Sequence, residues 1–234
     1  MYEAVRVAAD GRTTPRRFAL TLSNAGFDGM VLRTNQSAPI DPPRESIATE
    51  YGIDVVRGIE IETDDKAVAS GAIGNWRPKA EVLILNGRDP EMNRFAAESP
   101  RVDVLADPMG GDGDLNHVIA RAAAENGVAI EVSLGRVLRR SGGPRVQAIS
   151  NLRKLHDLIE DAGAPFVVSG TPETHLQVRG ARELVAVGEK IGFSADEIET
   201  GLRTWGTIAE RIRERRDPKT VVPGVTVESE KDDT

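Results

Sequence analysis

Cysteine is absent from the 234 residues. That excludes disulfide scaffolds, thiolate nucleophiles, zinc fingers and iron–sulfur clusters together. Histidine is scarce, with His117, His156 and His175 the only three. Lysine is scarce as well: positions 66, 79, 154, 190, 219 and 231 hold the six, which leaves 24 arginines among 30 cations. No apolar run approaches the roughly 20 residues a membrane helix needs, and Met1-Tyr2-Glu3 leads directly into a strand pattern. The expectation is a soluble, cytoplasmic chain without a membrane partner. Net charge is −7, which argues against a simple electrostatic binder of nucleic acid. An acidic, lysine-poor surface suits a high-salt cytoplasm, where screening removes self-repulsion while carboxylates stay hydrated. A halophilic source is therefore expected, the alternative being a high-GC genome that encodes Arg and Asp freely. Hydrophobic residues make up 39% and glycines number 23, so the chain is too apolar for wholesale disorder. Its length allows a full core without staples.

An apolar, β-branched run followed by an amphipathic helix recurs along the chain. Strands are predicted at Tyr2–Ala8, Gly29–Arg33, Asp54–Ile61, Ala80–Leu85, Val102–Ala106, Ala129–Ser133 and Pro165–Ser169. Their starts lie 22 to 36 residues apart, room for one strand and one helix each, so parallel pairing is predicted. The helices carry their own punctuation. Thr14-Pro15 places an N-cap and first-turn proline before Phe18, Leu22 and Ala25, with Gly26 as the stop, and Asp89-Pro90 repeats the signal ahead of Met92, Phe95 and Ala96. Val118, Ile119, Ala122 and Ala123 make one stripe closed by Gly127. The longest helix is predicted from about Arg145 to Ala162, burying Ile149, Leu152, Leu155 and Ile159. Ser194 with Glu197 is a capping box for a helix bearing Ile198, Leu202 and Trp205, and Glu210–Arg216 finishes a helix. No Gly-rich dinucleotide fingerprint follows the first strand. The pattern predicts a TIM-like (βα)-barrel of about seven parallel strands, one domain over residues 1–216, with an acidic, disordered tail at 217–234.

A barrel works at the C-terminal ends of its strands. The residues standing there include Asp10, Arg12, Arg33, Thr34, Asn35, Glu60, Glu62, Asn86, Arg88, Asp107, Ser169, Thr171 and His175. Barrel hydrolases with two or three metals need clustered His and Asp, beginning with His-x-His on the first strand; that motif is missing, and no metal site is expected. The Gly110–Asp114 segment is read as a plain flexible turn, since Asp107, Asp112 and Asp114 would repel phosphate. Glu60 and Glu62 share one face of a strand, either as general acid and base or as structural carboxylates. Gly-x-Ser-x-Gly is absent. An enzyme reading would use Glu60, Asp107 and His175 with the Ser169–Thr171 loop on a phosphoester or phosphometabolite.

One segment runs against the overall charge. Ser133–Arg182 carries Arg136, Arg139, Arg140, Arg145, Arg153, Lys154, Arg179 and Arg182 against four acids, a net +4 that leaves −11 for the remainder. Arg139-Arg140-Ser-Gly-Gly-Pro-Arg145 joins arginine forks to a helix N-terminus, both suited to phosphate oxygens. These eight, with Arg33 and Arg88 at strand ends, are the candidate contacts to RNA or phosphate, the alternative being a solvated arginine loop or one paired with the acidic remainder.

Leu115–Val118, Ala123-Ala124-Glu125-Asn126-Gly127-Val128-Ala129-Ile130-Glu131 and Asn151-Leu152-Arg153-Lys154 resemble the family of archaeal ribonuclease P protein component 3, the 30-kilodalton subunit of archaeal and eukaryotic enzymes. Val102–Leu105 and Phe166–Gly170, followed by Arg182-Glu183-Leu184, fit the same order. The resemblance implies a barrel related to metal-dependent phosphoesterases but lacking their ligands. It implies a non-catalytic subunit that stabilises the RNA which removes the 5′ leader of precursor tRNA. Magnesium would act at that RNA and no cofactor would be bound by the chain. A small ferredoxin-like subunit and other ribonuclease P proteins would be its partners. Within the matched motifs it singles out Arg153 and Lys154 as RNA contacts.

Overall fold

Seven β-branched runs become seven strands: β1 (Tyr2–Arg6), β2 (Gly29–Asn35), β3 (Asp54–Ile61), β4 (Val82–Asn86), β5 (Val104–Ala106), β6 (Ala129–Ser133) and β7 (Phe166–Ser169). They pair in parallel in simple sequential order. The computed structural model describes residues 1–8, 11–216, 220–222 and 225–226. Helices fill the connections: α1 (Pro15–Asn24), α2 (Arg44–Tyr51), α3 (Lys66–Trp76), α4 (Pro90–Ala97), α5 (His117–Asn126), α6 (Gly135–Arg139), α7 (Gly142–Ala162), α8 (Ala181–Ile191) and α9 (Ala195–Arg216). The result is a TIM-like barrel, nearly closed. At the tail, Thr220–Val222 and Val225–Thr226 form a short antiparallel pair, β8 and β9. The other tail positions, and Asp10, lie outside the described residues.

Local chemistry accounts for the helix ends. The side chains of Thr14, Asp89 and Asn116 each accept from backbone N–H groups in the first turn of α1, α4 and α5. Gly127 and Gly163 close α5 and α7 in the left-handed conformation. The Ser194–Glu197 capping box forms in both directions. The predicted α5 stripe is rotated, with Val118 exposed and Ile119, Ala120 and Ala123 buried, whereas in α7 Leu152, Leu155 and Ile159 are buried as expected and Ile149 is half-buried. The α3 helix escaped the sequence pattern because Ser70, Gly71 and Gly74 break its apolar stripe, leaving Ala69 and Ile73 as its buried residues.

Strand alternation sorts the core into two compartments. Outward side chains pack beneath the helices; inward ones meet in the lumen. The middle of the lumen is filled by Ala4, Val31, Val56, Ile84, Val104, Ala129 and Val167, a packed core and not a pore. Trp205, Ile208 and Ala209 of α9 join this compartment. Farther along α9, Arg213 bonds Asp54 and Glu81 and Arg211 reaches Asp103, all at strand starts. Helix α9 thus lies across the N-terminal end of the barrel and seals it.

Closure between β1 and β7 is made by side chains and loops. Arg6 N donates to Pro172 O at 3.0 Å, and Ser169 Oγ to Ala4 O at 3.1 Å. The fully buried Glu3 carboxylate accepts from Ser169 Oγ and from the backbone N–H groups of Gly170 and Ala4. Burial pushes its pKa up to about 7, above the ordinary value of 4.5. A carboxyl whose folded pKa is raised stabilises the fold most below its unfolded pKa, and that contribution is lost as pH rises through the folded value. Stability against urea is therefore expected to fall between pH 5 and pH 8, and Glu3→Gln should flatten that slope. Equal slopes in the two proteins would remove Glu3 as the cause.

Candidate functional site at the barrel mouth

The apolar lumen ends abruptly at the C-terminal side. One step beyond Val31 and Ile84 on the inward face stand Arg33 and Asn86, joined by Glu60 of β3 and Glu131 of β6. Arg33 Nη2 donates to Glu60 Oε1 at 2.9 Å, and Nη1 donates to Glu131. The same Glu60 oxygen accepts from Arg6 Nη2 at 3.0 Å and Asn86 Nδ2 at 2.9 Å. Burial alone would raise Glu60, but the Arg33 and Arg6 guanidiniums outweigh it and hold the carboxyl below its usual range. Arg33 opposes its own burial in the same way and is pushed upward by Glu131 and Glu60.

Arg33 therefore leaves the set of RNA contacts. It is 1% exposed, because an inward position on the nearly closed barrel faces the lumen and not a loop. Glu60 is likewise tied into this layer, and Glu62 sits outside it, paired with Arg88 at 2.6 Å. The enzyme constellation does not assemble. Asp107 pairs with Arg136 at 2.8 Å, and burial raises its pKa despite that partner. His175 Nδ1 lies 3.1 Å from Thr13 Oγ1, while Ser169 is committed to Glu3. His117 and His156 pair with Asp161 and Glu197 respectively, on helices.

A phosphoesterase-type metal centre does not fit these residues. Among the described residues no three His, Cys, Asp or Glu side chains converge as a metal-binding group. In the lumen, a guanidinium sits between Glu60 and Glu131, where a dication would have to sit. Arg6 and Glu131 were not singled out from sequence, and Asn86 was noted there only as a strand-end residue. Their common signal is register: each stands near the C-terminal end of a strand and points inward with Arg33 and Glu60.

Around this layer the rim carries the basic segment. Three non-glycine residues in the described chain have left-handed backbone, Arg88, Asp107 and Thr171. All three follow strand ends at this mouth, where strain of this kind gathers at working sites. Arg139 spans the rim, donating to Gly170 O at 2.8 Å and Thr171 O at 3.1 Å. It fastens the β7–α8 loop. Arg153 donates to Ile191 O, at the end of α8, at 2.8 Å, and Arg179 to Val178 O, in the loop before α8, at 2.9 Å. Lys154 pairs with Asp114. Arg140, Arg145 and Arg182 are exposed, and their side chains have no hydrogen-bond or ion-pair partner among the described residues. Arg140 and Arg145 flank the start of α7, whose residues from Gly142 to Gln147 are exposed on every side. No side chain caps that end. The rim thus offers a helix N-terminus with free backbone donors beside two free guanidiniums, a combination suited to phosphate oxygens.

Comparison with known proteins follows the same direction. The family model for RNase P subunit p30 matches residues 1–217. A Haloarcula marismortui protein named Ribonuclease P protein component 3 is 52% identical over 233 residues, covering 100% of this chain and 99% of the relative. A chain in the cryo-EM structure of archaeal Ribonuclease P with mature tRNA superposes with a TM-score of 0.84 at 22% identity, covering 99% of this chain and 100% of that one. The zinc-, histidinol- and phosphate-bound histidinol phosphate phosphatase of Lactococcus lactis shares the fold at a TM-score of 0.58 and 13% identity, covering 82% and 94% of the two chains.

Proposed function

The chain belongs to the RNase P subunit p30 family, and from that membership we propose that its barrel rim, at the start of α7, holds the RNA of the enzyme. It is a protein subunit of the tRNA-processing endoribonuclease ribonuclease P, of halophilic archaeal type. The observation that carries the rim assignment is the exposed, uncapped N-terminus of α7 between the unpartnered Arg140 and Arg145. Arg182, at the start of α8, extends the same rim. Arg136 and Lys154 contribute by exchanging a carboxylate for a phosphate, as does Arg88 at the edge. Arg139, Arg153 and Arg179 act indirectly, by fixing loops.

In this reading residues 1–216 form the single working domain, with 217–234 as its tail, in the cytoplasm. Cleavage of the 5′ leader belongs to the RNA, with magnesium bound there. A ferredoxin-like subunit shares the protein scaffold. The committed Glu60–Arg33–Glu131 layer supports a structural and not a catalytic barrel.

The test is Arg140→Ala with Arg145→Ala in the reconstituted enzyme. Each lost phosphate contact should lower the slope of log K against log salt by about one, so the pair is expected to lower it by about two and to weaken RNA binding at least ten-fold. The circular dichroism spectrum should stay unchanged, since both side chains are exposed and neither has a hydrogen-bond or ion-pair partner among the described residues. Unaltered affinity and salt slope would place the RNA elsewhere.

A further inference from the structure

The N-terminal end of the barrel, sealed by α9, divides into two unlike halves of charge. In one half Arg213 bonds Asp54 and Glu81, Arg44 pairs with Glu81 and Asp41, and Arg57 lies against Asp41. Three guanidiniums meet three carboxylates, and this half is neutral. The other half is not balanced. Arg77 and Arg211 share the buried Asp103 carboxylate. Arg216 Nη2 donates to the carbonyl oxygens of Arg77 at 2.7 Å and Ala80 at 2.6 Å, which holds it beside Arg77 with no carboxylate partner among the described residues. Burial and that like charge lower its pKa. Lys79 stands in the same loop, bonded to Asn75 Oδ1, with its Nζ 5.0 Å from the centre of the Trp76 ring. Arg101 offers its carbonyl oxygen to Arg77, and Arg215 follows Arg211 by one turn of α9. The side chains of Arg101 and Arg215 are exposed and have no hydrogen-bond or ion-pair partner among the described residues. Six cations thus gather around Asp103, and with the exposed Glu214 of α9 counted the sum is +4. Composition could not show this cluster, because its members come from 77–79, 101 and 211–216, within the acidic remainder of the sequence.

In a chain of net charge −7 carboxylates are plentiful, and the neutral half shows that this end of the barrel can supply them. Cations left without them are matched by an anion from outside, and arginine forks suit phosphate oxygens. We propose that the unbalanced half of the N-terminal end is a second RNA-binding face, where Lys79, Arg101, Arg215 and Arg216 take phosphates of the backbone. The identity of the anion as RNA rests on the ribonuclease P reading above, but the face shares no residue with the rim. The chain then stands between two RNA segments, one at each end of its barrel. Trp205, ten residues before Arg215 on α9 and part of the lumen cluster, takes no part in this face.

The experiment measures binding of ribonuclease P RNA to the full-length chain, alone and in the reconstituted enzyme, over a range of salt. Lys79→Gln, Arg101→Gln and Arg215→Gln are combined, because these side chains are exposed and have no carboxylate partner among the described residues. Each lost phosphate contact lowers the slope of log K against log salt by about one. The triple variant is therefore expected to lower it by about three and to weaken binding at least ten-fold, with an unchanged urea midpoint. Adding Arg140→Ala and Arg145→Ala should bring the total to about five. A charge-keeping control, Lys79→Arg with Arg101→Lys and Arg215→Lys, should hold the parent slope. If the rim pair has no effect while the triple variant does, the rim assignment fails and this face stands. The proposal is overturned if the triple variant binds like the parent while the rim pair does not. A loss seen only with the other protein subunits present also overturns it and gives the face to an acidic protein. Normal RNA binding with a lowered urea midpoint does the same in favour of carboxylates of this chain.

Discussion

Replacing Arg33 with methionine is expected to destabilise the fold by about 3–5 kcal/mol, the cost of leaving a buried charge without its partner. The two carboxylates it serves are not equally exposed to that loss. Glu60 keeps Arg6 and Asn86 as donors. Glu131, 1% exposed, has Arg33 as its one hydrogen-bond or ion-pair partner among the described residues, and its second oxygen already has none. The penalty should therefore fall mainly on Glu131. Neutralising that residue in the same chain, as Arg33→Met with Glu131→Gln, is expected to recover most of the lost stability, whereas Arg33→Met with Glu60→Gln should recover little. Urea unfolding of these variants, together with Glu131→Gln and Glu60→Gln alone, gives the coupling energies. A loss under 1 kcal/mol in Arg33→Met alone, or equal rescue by both second substitutions, would contradict this account of the layer. The fixed Arg33 guanidinium neutralises both lumen carboxylates, Glu60 and Glu131.

The parts of this structure that depend on neighbouring residues could be read from sequence, and those that depend on closure could not. Asp54–Ile61 and Ala129–Ser133 were delimited correctly because β-branched runs bounded by turn residues define a strand locally. Gly163 before Pro165 fixed the end of α7 for the same reason. Arg33 defeated the reading, since an arginine near a strand's end looks like a loop residue until the strand is curved into a barrel. Glu131 lay inside the most specific family motif yet gave no sign of its role, because its partner is 98 residues away in sequence. The basic segment was visible as composition. Which of its members are free was not: Arg139 and Arg140 are adjacent, yet one is bonded to two carbonyl oxygens and the other to nothing described. Only the folded loop distinguishes them, and it moves the weight of the RNA assignment from Arg139 to Arg140 and Arg145.

Trp205→Ala should be comparably damaging, about 3–5 kcal/mol, the usual cost of emptying a buried tryptophan site. Trp205 is fully buried, joins the lumen cluster, and donates Nε1–H to Val168 O at 2.9 Å. Its neighbours leave little room for collapse. At Gly206 an added Cβ would stand 2.4 Å from the Tyr2 ring, and at Gly201 2.4 Å from Val168, so α9 is already pressed against β1 and β7. Trp205→Phe separates the two contributions. It keeps an aromatic ring in place but strands the Val168 carbonyl, and an intermediate loss of about 1–3 kcal/mol is expected for the missing donor and the smaller ring. Because α9 seals the end opposite the mouth, these variants also test whether the two ends are separable. Under conditions where Trp205→Phe remains folded, its RNA affinity in the reconstituted enzyme should match the parent, while Arg140→Ala with Arg145→Ala should show the reverse pattern of normal stability and weak binding. If Trp205→Phe instead lost RNA binding while folded, the rim would depend on the helix beneath the barrel, and the start of α7 could not be treated as a site that stands alone.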